Sequence, residues 1–147
     1  MKNYTVTITC PVTAERAYDA ITKEMSEWWN PMSTQFQEVG DEAKTGFGGS
    51  SYWVFKAITL NAPHLVELEC TESKMIIDSH VDPKEWLGTT LRFDISESES
   101  NTTIVFTHFG LHPELPCYNV CSGGWEHYIP GSLKNYLHNM GGNPNTY

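Results

Sequence analysis

The sequence predicts an α+β fold in which a curved antiparallel sheet of six or seven strands wraps around one long C-terminal helix. Three features of the chain point there. Residues 4–10 alternate strictly between an apolar set, Tyr4, Val6, Ile8 and Cys10, and a row of threonines. From about residue 51 to 110, short runs rich in β-branched and aromatic residues are separated by turn formers. Beyond Pro116, apolar residues recur at spacings near four. Period two marks a strand with one dry face, and a period near 3.6 marks a helix with an apolar stripe.

Taken in order, Pro11 ends the first strand. Thr13 is placed to cap a helix whose first turn holds Glu15, where the helix dipole favours an anion. Ala14, Ala17, Tyr18, Ile21 and Met25 give that helix an apolar stripe running toward Trp28-Trp29, and Asn30-Pro31 stops it. Further strands are predicted at about 34–39, 51–60, 64–72, 74–81, 88–97 and 102–110. Asn61-Ala62-Pro63, Asp82-Pro83 and the polar run from Ser96 to Asn101 supply the turns. Tight turns between short strands give an antiparallel meander.

The last helix carries Cys121, Trp125, Tyr128 or Ile129, Leu133, Leu137 and Met140 on its stripe, with Gly141-Gly142 as its expected stop. Gly123-Gly124 weakens it by about 1 kcal/mol per residue relative to alanine. Pro130 removes a backbone bond and is expected to kink it. These soft points bracket Trp125 and Tyr128, so the middle turn is expected to form an adjustable wall.

With 147 residues, no internal repeat and no linker, the chain reads as one domain, residues 1–147. A formal net charge of −9 with nine Lys plus Arg speaks against nucleic acid or an anionic bilayer as partner. No apolar run of signal-peptide or membrane-spanning length occurs, so no membrane insertion and a cytoplasmic location are expected. Cys10, Cys70, Cys117 and Cys121 are then expected to be reduced, buried thiols. Aromatic residues reach 12%, with five Trp, the mark of a thick core or of a cavity lined by rings.

Several segments together resemble the START-like helix-grip (SRPBCC) superfamily and, within it, the bacterial family of the activator of the heat-shock-protein-90 ATPase. They are Thr-Cys-Pro-Val-Thr-Ala-Glu-Arg-Ala-Tyr-Asp-Ala-Ile-Thr at 9–22, Trp28-Trp29, Gly-Thr-Thr-Leu-Arg-Phe-Asp-Ile at 88–95 and Thr-Thr-Ile-Val-Phe-Thr-His-Phe-Gly-Leu at 102–111. Cys-Tyr-Asn-Val-Cys-Ser-Gly-Gly-Trp at 117–125 and Gly-Ser-Leu-Lys-Asn-Tyr-Leu at 131–137 complete the set. The resemblance implies a hydrophobic pocket between sheet and helix. Members bind lipids, sterols, plant hormones or polyketides, some cyclise polyketides, and some regulate a chaperone, so fold alone does not select a function. Pro130 departs from the family's usual last helix.

The expected function is binding of a small hydrophobic ligand, with lipid binding and a role in stress response among the outcomes the resemblance implies. A cyclase or hydrolase acting in the same cavity and a chaperone-regulating module are the alternatives. Trp28, Trp29, Trp53, Phe55, Trp86, Phe93, Phe106, Cys121, Trp125 and Tyr128 are the candidate ligand-binding residues, because Trp and Tyr combine an apolar face with one donor. His108 joins them: alternation with Ile104 and Phe106 turns it inward, as a polar handle, a proton carrier or a core histidine. Glu126, His127 and Asp78 are further acid–base candidates. His80 between Asp78 and Asp82 could form a metal site, although a solvated strand face is simpler. No nucleophile elbow, ordered Ser-His-Asp set or nucleotide loop is present. No catalytic residue, metal or cofactor is assigned, and a homodimer is left open.

Overall fold

In the computed structural model, which describes residues 2–47, 49–77 and 79–145, β1 (Tyr4–Cys10) buries Tyr4, Ile8 and Cys10 and exposes all three threonines. Thr13 accepts a hydrogen bond from the Arg16 amide and caps α1 (Ala14–Lys23), which buries Ala14, Ala17, Ala20 and Ile21. Helix α1 stops short of the tryptophans. The Thr22 hydroxyl donates back to the Tyr18 carbonyl, Glu24 leaves helical geometry, and a 3₁₀ turn follows over Met25–Glu27. That break lets both Trp28 and Trp29 turn inward, at 0% and 2% exposure. An uninterrupted α-helix would point adjacent residues about 100° apart.

Six antiparallel strands form one sheet in the order β1-β6-β5-β4-β3-β2, where β2 is Glu42–Gly46, β3 Tyr52–Asn61, β4 Leu65–Lys74, β5 Thr90–Ser98 and β6 Asn101–Phe109. Irregularities between Val54 and Phe55 and between Ala57 and Thr59 interrupt the β3–β4 register. Bulges of this kind bend a strand and increase its twist.

Two expected strands are absent. Residues 34–39 form no ladder: the Phe36 amide is taken by the Thr22 carbonyl, and the Gln37 and Glu38 amides by the Asp41 carboxylate. The second strand lies at 42–46 instead. The predicted strands at 64–72 and 74–81 are one strand that ends at Lys74. Beyond it, Met75 bonds to the Pro83 carbonyl and Ile76 to Ser51 Oγ, so the backbone leaves the sheet. Asp82 then accepts from the Lys84 amide and opens a series of tight turns carrying Trp86. Asp78 lies outside the described residues, so the Asp78–His80–Asp82 grouping is not placed.

The C-terminal helix has three continuous parts: α2 (Tyr118–Glu126), a π-helical segment (His127–Leu133) and α3 (Lys134–Leu137). Pro130 does not break it. The helix widens by one residue, and the Lys134 amide reaches the Ile129 carbonyl five residues back. Asn139, not a glycine, ends the helix. It takes a left-handed φ of 60°, with Met140 N–H donating to Asn135 O at 2.9 Å and Asn139 N–H to Tyr136 O at 3.2 Å. Met140 is therefore off the stripe, at 72% exposure.

Gly142 has a different duty from the expected helix stop. A Cβ there would lie 2.3 Å from the Glu27 carbonyl oxygen, so only glycine lets the tail press against the Trp28 turn. Ser132 Oγ donates to Trp28 O at 2.7 Å and accepts from Asn143 N–H at 2.7 Å, while Asn145 N–H reaches Trp29 O at 2.7 Å. Helix, tail and tryptophan turn are thereby laced together. Among the described residues, no helix is long and apolar enough to cross a membrane.

Candidate functional site

Between the C-terminal helix and the β3 end of the sheet lies a cleft of about 250 Å³. Its aromatic walls come from four places: Trp29 from the turn after α1, Phe47 and Trp53 from either side of the β2–β3 turn, Trp86 from the turns before β5, and Trp125 with Tyr128 from the C-terminal helix. Met75, Ile77, Val120 and Cys121 complete the apolar lining, and Asn30, Gly124 and Asn145 the remainder. Among the described residues, no Asp, Glu, Lys, Arg or His contributes. Val120 is 59% exposed, and Phe47, Ile77 and Tyr128 are half-buried, so these residues form the mouth.

The rings are ordered rather than merely crowded. Trp53 and Trp86 stack with centroids 3.9 Å apart and planes 7° from parallel. Phe47 stacks on Trp53 at 3.8 Å and 15°. Trp125 lies nearly parallel to Trp86 at 5.8 Å and 13°. Trp29 bridges the column, 5.8 Å from Trp53 and 5.1 Å from Trp125. Offset contacts of this kind contribute about 0.5–1.5 kcal/mol each beyond area burial, which makes this wall stiff.

His108 sits behind the wall, wholly buried on β6. Trp125 Nε1–H donates to its Nδ1 at 3.1 Å. Its Nε2 lies 2.9 Å from Thr89 Oγ1, whose own proton goes to the Trp86 carbonyl at 2.6 Å. Because indole nitrogen only donates and the threonine proton is already used, the imidazole must carry its hydrogen on Nε2. The donors of the Trp125 indole, His108 and Thr89 are thus all paired, the last of them with the Trp86 carbonyl, and burial pushes the imidazole pKa down to about 3. Gly110 allows it: a Cβ there would meet Thr89 Cγ2 at 2.6 Å, and its φ of 101° suits glycine.

Of the residues singled out from sequence, Trp29, Trp53, Trp86, Cys121, Trp125 and Tyr128 come together on the cleft. Trp28, Phe55, Phe93, Phe106 and His108 lie in the packed core behind it, all at 0% exposure. Trp28 donates its indole proton to Ala20 O at 2.9 Å and meets Phe93 edge-on. Glu126 is on the outer face, accepting from the Tyr4 hydroxyl, and His127 is exposed beside Tyr128. Phe47, Met75 and Ile77 were not foreseen as lining, because they sit in irregular backbone where no periodicity marks an inward face. Val120 and Asn145 likewise carry no sequence signal.

All four cysteines are free and buried. Cys117 shares a helix face with Cys121. Its thiol is held well above the ordinary range by its hydrogen bond with Cys121, by burial and by Glu85. Burial pushes Cys70 up to about 12. Such thiols are poor nucleophiles. Among the described residues, no cluster of three or more His, Cys, Asp or Glu could hold a metal ion.

No protein-family model matches the sequence, and no curated protein does. Solved structures do match. The Aha1 dimer from Colwellia psychrerythraea superimposes with a TM-score of 0.75 at 24% identity, over 95% of this chain and 98% of that one. MLL2253 from Mesorhizobium loti gives a TM-score of 0.70 at 17% identity over 91% and 96%. DynU16, described as a putative protein in the dynemicin biosynthetic locus, gives 0.65 at 14% identity over 90% of this chain, which spans 46% of that longer one.

Proposed function

We propose that this chain, which has the helix-grip fold of its Aha1-like neighbours, binds a small, largely apolar molecule in the cleft between Trp53, Trp86 and the C-terminal helix. The observation that carries the proposal is a 250 Å³ cleft walled by four indoles, with no Asp, Glu, Lys, Arg or His among the described residues of its lining. A core built only for stability would close such a gap, since unfilled apolar space forfeits packing. Here the helix keeps Gly124 at the wall, where an added Cβ would meet nothing within 4 Å. Transfer of apolar ligand surface into the cleft yields roughly 25 cal/mol per Å². His108 adds no acid–base route, because both its nitrogens are engaged by protein and it does not line the cleft.

The test is titration with N-phenyl-1-naphthylamine, whose emission rises on entering an apolar site. Gly124→Leu fills the cleft from the helix side while improving helix propensity. Binding by the parent chain, weakened about tenfold or more in Gly124→Leu, is the expected result, equivalent to a loss of about 1.4 kcal/mol. Absence of binding, or equal binding by both, would refute the proposal. Pairing of two copies is part of the same proposal, prompted by the neighbour described as a dimer. Sedimentation velocity yielding only monomer at high concentration would remove that part.

A further inference from the structure

The cleft has two donors with nothing among the described residues to donate to. The indole nitrogens of Trp53 and Trp86 are buried and have no hydrogen-bond partner there, while the rings themselves are only 6% and 3% exposed. The contrast with the adjacent indoles is direct: Trp28 donates to Ala20 O and Trp125 to His108 Nδ1. Orphaned buried donors are rare in native proteins, because each has lost its hydration with nothing in return. Two in one stacked pair, both on the wall of one cleft, make a feature of the cleft rather than an isolated defect.

Resting on the proposal that the cleft is a ligand site, we infer that its ligand carries a neutral oxygen acceptor, a carbonyl above all, which takes hydrogen bonds from Trp53 and Trp86. The stacking decides between two chemistries that an aromatic wall could serve. A cation would need an open ring face. Phe47 and Trp86 cover Trp53, and Trp53, Trp125 and the edge-on His108 ring surround Trp86. What the pair has left to offer is its ring edges, which are electropositive and carry the N–H groups. An acceptor complements them, and a cation does not.

Charge and size narrow the class further. An ionised carboxylate would find no Lys, Arg or His among the described lining residues and would lose its hydration uncompensated. A carbonyl gives up less. The volume of 250 Å³ lies just under the usual range of about 300–1,000 Å³ for small-molecule sites. It suits a compact ketone, lactone or quinone of bicyclic size better than a long acyl chain. Neither indole nitrogen is exposed to solvent, so the acceptor arrives on the ligand and wall side chains yield to it. Met75, unbranched and in the same wall, is the pliable one.

A matched pair of probes tests this on the intact chain: 2-acetylnaphthalene and 2-isopropenylnaphthalene, which differ only in C=O against C=CH₂. In a purely apolar cleft the alkene binds better, because it gives up less hydration. The expected result is that the ketone binds roughly 3- to 10-fold more tightly, the worth of one net hydrogen bond. With ¹⁵N-labelled tryptophan, the indole protons of Trp53 and Trp86 move downfield with the ketone and not with the alkene. Trp53→Phe and Trp86→Phe, which keep a ring and remove the donor, each reduce the ketone's advantage. The indole shifts in the parent chain decide the matter if either variant fails to fold. An alkene that binds as well as the ketone, with the indole protons unmoved, overturns the acceptor while leaving the cleft a binding site. If neither probe binds, the binding proposal falls and the acceptor with it.

Discussion

Trp125 Nε1 donates to His108 Nδ1 across 3.1 Å, so an indole of the cleft wall and an imidazole of the core are one hydrogen-bonded unit. A second proton on that imidazole would have to sit on Nδ1, pointing at an N–H. The pair works only while His108 is neutral.

The pH dependence of stability follows. Burial lowers the folded pKa of His108 to about 3, against about 6.5 in an unfolded chain. Between those values the unfolded state holds a proton that the folded state refuses. The stability from the neutral imidazole is therefore complete above about pH 6.5 and is lost as pH falls toward 3, with a slope of up to about 1.4 kcal/mol per pH unit. Urea unfolding at pH 7.0 and 5.5 is expected to differ by about 1 kcal/mol more in the parent than in His108→Gln, which has no titrating proton. Equal differences in the two proteins would contradict the assignment.

Thr89 is the other half of the clamp. Thr89→Val keeps the shape but leaves the His108 Nε2–H without an acceptor, at an expected cost of about 1–3 kcal/mol in chemical denaturation. Thr89→Ser restores the oxygen and is expected to recover most of the loss. A valine variant as stable as the parent would mean that the imidazole finds another partner.

Two glycines of the C-terminal region should respond in opposite directions. Gly142→Ala drives a Cβ to within 2.3 Å of the Glu27 carbonyl and is expected to destabilise by about 1–3 kcal/mol, as overpacking does. Loss of order in the Asn143 and Asn145 amides, seen as faster hydrogen exchange, would identify the cause. Gly123→Ala meets nothing within 4 Å in mid-helix and is expected to raise stability by about 0.5–1 kcal/mol.

How much of this was legible in the sequence depends on what kind of physics sets each element. The alternation of β1, the Thr13 cap and the sheet-and-helix architecture follow from periodicity and local chemistry, and both are written in adjacent residues. The irregular stretch at 34–39 is set by Thr22 and Asp41 taking its amides, a choice no pattern within 34–39 records. The same holds for the site. The spacing of the last helix marked the face that carries Cys121 and Trp125, whereas Trp53 was a candidate by its ring chemistry alone. Whether an inward ring lines the cleft or fills the core, Trp29 against Trp28 for example, is decided by a break in α1 one turn earlier.

The widened turn at Pro130 reaches beyond local geometry. Cys117, Cys121, Trp125, Ile129, Leu133 and Leu137 are all buried, at an unbroken spacing of four. In a uniform α-helix each step of four drifts by about 40°, so five steps would carry the row roughly halfway around the helix. The wider turn takes up that drift and returns Leu133 and Leu137 to the sheet. In evolutionary terms the helix has the form of an ordinary amphipathic one that has acquired a single residue and kept its face. Such a gain should be reversible. Deletion of Pro130 shortens one spacing to three, the step a regular helix needs, and is expected to yield a folded protein with its sheet intact by circular dichroism and amide exchange. Single-residue deletions at Trp125 or Leu133, each of which also removes a core side chain, should not.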